Sequence, residues 1–226
     1  MQIWTMNNII NSNLLKLRQK KIPNPELDLK LLLKEASLDK KEIILSNIKI
    51  ENINLSYFNS LILKRLNREP ISKIIKKKYF WKNEFFVNSN VLDPRPETEL
   101  IIEQVLENVK DKNKNLKILD IGTGSGCLAI SLAKEYKNSK ITAIDISKKA
   151  IHAARKNINL HNVNNQIILK HLDFKKIKKK YDIIISNPPY INENDYKNLQ
   201  TEIIKFEPKI ALLGGKNGLK FYEIFA

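Results

Sequence analysis

Asn187, Pro188, Pro189 and Tyr190 follow directly on the apolar run DIIIS, Asp182 to Ser186, and make an abrupt corner for a chain leaving a sheet. Two consecutive prolines restrict the backbone and remove two donors, which brings the Asn187 amide oxygen close to the Pro188 carbonyl. Such a corner accepts hydrogen bonds, and Tyr190 adds a wall against which a planar group can pack. A planar NH2 group placed there gives both hydrogens to Asn187 and Pro188 and keeps its nitrogen free to act as a nucleophile. Three more sets of residues suit a ligand beside that nitrogen. DIGTGSGCLAI carries Gly122, Gly124 and Gly126, which permit tight turning and close backbone approach. Asp145 can accept from both hydroxyls of a ribose. Asp173 with Phe174 offers an acceptor beside an aromatic face, fit for an adenine or equally for a capping aspartate and a core phenylalanine.

The elements that must position these residues alternate. KILDI (Lys117 to Ile121), KITAIDI (Lys140 to Ile146), QIILKHLD (Gln166 to Asp173) and YDIIIS (Tyr181 to Ser186) read as strands, with helices to about Tyr136 and from Lys148 to about His161 between them. Apolar strands in this rhythm imply a parallel sheet covered by helices on both faces. Ligands of such sheets bind beyond the carboxyl ends of the strands, and every residue named above falls at one of those ends. Successive strand ends that fit a glycine-lined pocket, a ribose and an adenine point to a nucleoside cofactor. The glycine spacing is GxGxG, whereas a dinucleotide fingerprint reads GxGxxG, and no GKS or GKT loop speaks for ATP. Ahead of this region the pattern differs. From about Met6 to Leu66 apolar residues recur at helical spacing, with Pro25 placed as a helix start and Asn67 to Pro70 as a stop. YFWKNEFFVNSNVL then reads as a hairpin with an NE or NS turn. The expected organisation is a helical domain over 1–70, a hairpin linker over 71–92 and an α/β domain over 93–226.

The 226 residues, 42% of them hydrophobic, suffice for one ordinary domain and a small companion. Apolar runs stay far below the roughly 20 residues that cross a bilayer, and the start of the chain lacks a secretion-signal pattern. A cytoplasmic protein without a membrane partner is expected. The single cysteine, Cys127, excludes an internal disulfide and a zinc framework and reads as a small core residue; no metal is expected. The net charge of +16 would ordinarily suggest nucleic acid. Lysine, isoleucine and asparagine are abundant throughout, however, so the runs KIIKKK (Lys73 to Lys78) and KKIKKK (Lys175 to Lys180) read as solvated surface. His152, His161 and His171 lie on a helix, at its end and in a strand, and read as structural or surface residues.

DIGTGSG, AIDIS and SNPPY together resemble a Rossmann-like class I methyltransferase that uses S-adenosylmethionine to methylate an amino or amide nitrogen. VLDPRPETELIIE (Val91 to Glu103) and TEIIKFEPKIALLGGKNGLKFYEI (Thr201 to Ile224), with the helical domain and hairpin, are similar over essentially the whole chain to the bacterial peptide-chain release factor glutamine methyltransferase family. The resemblance implies an acceptor, the side-chain amide of the glutamine in the GGQ motif of class I release factors, and a helical domain that recognises the substrate. It assigns Gly122, Thr123, Gly124, Ser125, Gly126, Asp145 and Phe174 to S-adenosylmethionine. Asn187 touches the cofactor side and, with Pro188, Pro189 and Tyr190, holds the glutamine; Asn187, Pro188 and Tyr190 carry the catalysis. It implies further that RPETE (Arg95 to Glu99) opens a helix beside the cofactor pocket. Asn217 stands where many members carry aspartate. A monomer that needs no nucleic acid is expected. A nucleic-acid amino-methyltransferase and a binding protein that has lost catalysis are the alternatives. The last strands of such a sheet are missing before Ala226, so a C-terminally incomplete domain, with YDIIIS as an exposed edge, is also expected.

Overall fold

Helical apolar spacing in the first part of the chain produces α1 (Met6–Gln19), α2 (Pro25–Ala36), α3 (Leu55–Leu66) and the short α4 (Ile71–Ile75). The computed structural model describes residues 5–39 and 48–225. Pro25 occupies the first turn of α2, where its missing N–H breaks no helical bond. Leu17, Leu29, Leu32, Leu33 and Phe58 close the core of this unit. At its edge Arg65 Nε donates to Asp28 Oδ2 at 2.6 Å. Burial pushes the Asp28 carboxyl up, and Arg65 opposes the rise.

The chain divides into two compact units after Lys76, inside the segment expected as a linker. Two local facts move the boundary. Ile71 to Ile75 continue as helix, with Ile74 buried against the helical core and Lys73 buried too, although the lysine run was expected to be solvated. The hairpin, β1 (Lys77–Phe80) and β2 (Asn83–Phe86), belongs to the second unit instead of linking the two. Phe80 and Phe85 enter that unit's core. The hairpin turns at Trp81 and Lys82, with Trp81 at φ +54, and neither NE nor NS makes the turn. Trp81 is held there by its own bonds: its backbone N–H donates to Glu99 Oε1 and its indole Nε1 to Glu135 Oε1, at 2.6 and 2.9 Å.

In the second unit α5 (Glu99–Asn108) precedes β3 (Lys117–Ile121), α6 (Cys127–Glu135), β4 (Lys140–Asp145), α7 (Lys148–Leu160), β5 (Ile167–His171) and β6 (Ile183–Ser186). The strands form one parallel sheet of order β5-β4-β3-β6. Ile118, Leu119, Ile141 and Ala143 are buried from both faces, as a parallel sheet requires. Cys127 is buried, and burial pushes its thiol up to about 12, so it is inert packing. The chain then continues through α8 (Glu193–Lys197), α9 (Thr201–Phe206) and α10 (Lys220–Phe225). Among the described residues β6 pairs only with β3, and Ile184 is 61% exposed beside a groove of about 580 Å³ shared with α5.

Candidate active site

β3 and β4 end side by side, and the loop after β3 is stitched to β4. The amides of Gly122 and Thr123 donate to the Ile144 carbonyl at 3.0 and 2.9 Å, and that of Gly124 to Asp145 Oδ2 at 2.9 Å. Gly122, Gly124 and Gly126 all have left-handed φ, +72, +57 and +83, which a side chain would strain. A Cβ on Gly122 would meet nothing within 4 Å, so the outer side of this loop is open to a ligand. A Cβ on Gly126 would lie 3.2 Å from Ile130 Cδ1 and 3.4 Å from Ala154 Cβ, so that glycine lets α6 pack against α7.

Asp145 accepts a second bond from the Ser147 amide at 2.8 Å. Burial pushes its carboxyl up, while the Ser147 and Gly124 amides favour the charged form. Behind it Asp120 is fully enclosed. Thr123 Oγ1 donates to Asp120 Oδ2 at 2.7 Å, and Asp120 Oδ1 has no hydrogen-bond partner among the described residues. Burial, joined by repulsion from Asp145 and opposed by the Thr123 hydroxyl, pushes Asp120 up to about 7. After β5, Asp173 Oδ1 caps the following turn through the Lys175 amide at 3.0 Å. Phe174 meets Phe225 of α10 edge-on, with centroids 5.2 Å apart.

The corner after β6 is built from three separate stretches of chain. Ser186 Oγ donates to the Ile121 carbonyl at 2.9 Å, fixing the end of β6 to the end of β3. Asn187 Nδ2 donates to Thr98 Oγ1 at 2.9 Å. Pro188 is buried, and Tyr190 is 57% exposed. Beyond it the Ile191 amide donates to the Leu212 carbonyl at 2.9 Å and Gly214 returns a bond to the Ile191 carbonyl at 2.8 Å. The Gly214 to Gly218 loop is pressed against the proline corner. A Cβ at Gly214 would lie 2.6 Å from the Gly218 oxygen, 2.7 Å from the Pro189 oxygen and 2.8 Å from Tyr190 Cα, and one at Gly218 would overlap the Tyr190 carbonyl oxygen. Arg95 Nη2 meets the buried carboxylate of Glu207 at 2.6 Å. Between these pieces lies a pocket of about 230 Å³ lined by Arg95, Asn187, Pro188 and Tyr190, with Ile203 and Leu212 among its apolar walls.

The structure therefore gathers Asn187, Pro188 and Tyr190 at one pocket, and Gly122 to Gly126 with Asp145 at two adjoining strand ends. Thr98, the Arg95–Glu207 pair and the closeness of Gly214 and Gly218 to the proline corner were not read from the sequence. The paired glycines of GGKNG carried a signal, because glycine is favoured where two backbones touch. No local pattern marks Thr98 as a partner of Asn187.

A parallel sheet covered by helices, with a glycine-turned loop, an acid and an NPPY corner at its strand ends, has the fold of a class I methyltransferase. The family described as Methyltransferase small domain matches residues 92–216. The hMettl16 catalytic domain, solved in complex with the MAT2A 3'UTR hairpin 6, superposes with a TM-score of 0.50 at 18% identity, over 62% of this chain and 53% of that one, which shows a shared fold and no more. The release factor glutamine methyltransferase of Flavobacterium psychrophilum is 42% identical over 82% of this chain and 67% of its own length. The bifunctional methyltransferase of Rickettsia bellii is 36% identical over 99% of this chain, which spans 45% of that protein. The chain belongs to the release factor glutamine methyltransferase family.

Proposed function

We propose that this protein transfers a methyl group from S-adenosylmethionine to the side-chain amide nitrogen of the glutamine in the GGQ motif of class I release factors. The observation that carries this reading is the Asn187–Pro188 corner, which lines a pocket of side-chain size and whose carboxamide is held through Nδ2 by Thr98. The helical unit serves in recognition of the release factor. The protein works in the cytoplasm as a monomer and needs no nucleic acid.

Features beside the corner fit the cofactor: a loop whose outer side is open at Gly122 and an acid at the next strand end. Gly122 to Gly126, Asp145, Phe174 and Asn187 would hold it, and it supplies a methyl group on a sulfonium. The protein's own task is to make a poor nucleophile react, because an amide lone pair is delocalised into its carbonyl. Asn187 Oδ1 and the Pro188 carbonyl take the two amide hydrogens, aim the nitrogen and stabilise the positive charge that develops on it. The Tyr190 ring packs against the amide plane. No strong base is required, since the alkylated nitrogen is acidic enough to lose its proton to water.

Incubation with a radiolabelled methyl donor and a release factor, with DNA and rRNA in parallel, tests the proposal. Label on the GGQ glutamine is the expected result. Label on nucleic acid would instead identify an amino-methyltransferase of bases, and label on neither would identify a binding protein.

A further inference from the structure

We infer that Thr98 is a positioning residue for the acceptor corner: its hydroxyl holds the Asn187 carboxamide in the one orientation that presents oxygen to the substrate. The inference rests on the proposed amide chemistry and adds a residue to it. Thr98 stands at the start of α5, with helical backbone angles of φ −70 and ψ −18. Thr98 also closes the 3-10 turn Pro96–Thr98 that leads into α5, so its backbone is already helical and its hydroxyl makes no capping bond, which leaves it for another partner. Its oxygen lies 2.9 Å from Asn187 Nδ2, a partner 89 positions away in the chain. Thr98 is only 6% exposed, so water does not compete freely for the contact.

The consequence follows from the shape of an amide. The two heteroatoms of Asn187 sit on opposite edges of one plane, and the terminal torsion of asparagine is intrinsically broad. With Nδ2 bound to Thr98, Oδ1 is committed to the other edge. Pro188 and Pro189, which follow, have no N–H to bind Oδ1, so it stays available as an acceptor. Without the hydroxyl the amide can rotate and offer its own NH2 to an incoming NH2, donor against donor. Arg95, three residues upstream, braces the same segment by its contact with Glu207.

Thr98→Val keeps the shape and deletes the hydroxyl, while Thr98→Ser keeps the hydroxyl. The expected result is a fall in kcat of roughly 10- to 100-fold in Thr98→Val. The KM for the release factor and the affinity for S-adenosylhomocysteine should change less than about twofold, and Thr98→Ser should restore most of the rate. A Thr98→Val enzyme as fast as wild type overturns the inference, as does a serine variant no better than valine, which would reduce Thr98 to packing. A second readout does not depend on the substrate. The Asn187 side-chain NH2 pair, assigned in the 15N spectrum by its loss in Asn187→Ala, should be protected from hydrogen exchange in wild type and Thr98→Ser and unprotected in Thr98→Val. If wild type methylates no release factor, the proposed function fails, and this exchange pattern still decides whether Thr98 holds the amide; an Asn187 pair indifferent to Thr98→Val refutes it.

Discussion

Replacing Gly214 by alanine perturbs the acceptor corner without replacing any of the residues proposed to contact substrate. Gly214 is not among the left-handed glycines, so the added methyl brings no backbone strain of that kind and acts through contact alone. It would sit 2.7 Å from the Pro189 carbonyl oxygen and 2.6 Å from that of Gly218. A carbon rests comfortably against a carbonyl oxygen at about 3.3 Å. The Pro189 carbonyl, in the middle of NPPY, must therefore retreat by about 0.6 Å. Overpacking of this kind costs about 1–3 kcal/mol, a fall in Tm of roughly 4–8 °C at the middle of that range. A misplacement of 1 Å can cost about 100-fold in rate, so a shift of about 0.6 Å should cost roughly tenfold. Gly215→Ala is the control, because it is strained by its φ of +89 but meets only the flexible Lys220 side chain, at 3.2 Å. The assays are thermal melting and methyl transfer to a release factor. If Gly214→Ala melts and turns over like wild type, or loses no more activity than Gly215→Ala, the loop does not hold the corner in place.

Asn187→Ala removes one of the two proposed acceptors and should lower turnover about 100-fold with little change in melting; near-normal turnover would remove Asn187 from the chemistry. Asp145→Ala deletes both the proposed ribose acceptor and the partner of the Gly124 and Ser147 amides. It should weaken S-adenosylhomocysteine binding by roughly tenfold to hundredfold, measured by calorimetry, and unchanged binding would place the nucleoside elsewhere. Asp120, raised from 3.8 to about 7, holds a proton in the folded protein that the unfolded chain releases at lower pH. Its contribution to stability is therefore greatest below 3.8 and is lost as pH rises to about 7. Asp120→Asn should accordingly gain in Tm relative to wild type between pH 5 and pH 8, and parallel Tm profiles for the two proteins would contradict the buried, proton-holding carboxyl.

The sheet was legible because its strands are short apolar runs, and each of the four expected runs forms a strand of the parallel sheet. What could not be read is what depends on partners far away in the chain. Ile71 to Ile75 fall in the expected linker, with a lysine run that reads as solvated surface, but Ile74 finds the helical core and the segment stays helical. The NE and NS pairs have turn propensity, yet Trp81 takes the turn because Glu99 and Glu135 secure its backbone and its indole. In the site the contrast is the same. Asn187, Pro188 and Tyr190 announce themselves by their types, whereas Thr98 looks like an ordinary helix start until the fold brings Asn187 to its hydroxyl.

The pairs that brace the acceptor corner span 89 positions, from Thr98 to Asn187, and 112, from Arg95 to Glu207. The glycine-turned loop, by contrast, closes on Asp145 only 21 positions after Gly124. Contacts between distant stretches must meet the entropy of closing a long loop before they stabilise anything, and a chain made on the ribosome emerges N-terminus first. The proposed cofactor half of the site can therefore take shape while the proposed acceptor half still waits for Gly218 to be synthesised. On the proposed function such a chain arms its corner late: a half-made chain can gather the parts proposed to hold a methyl donor well before it can present an amide to it.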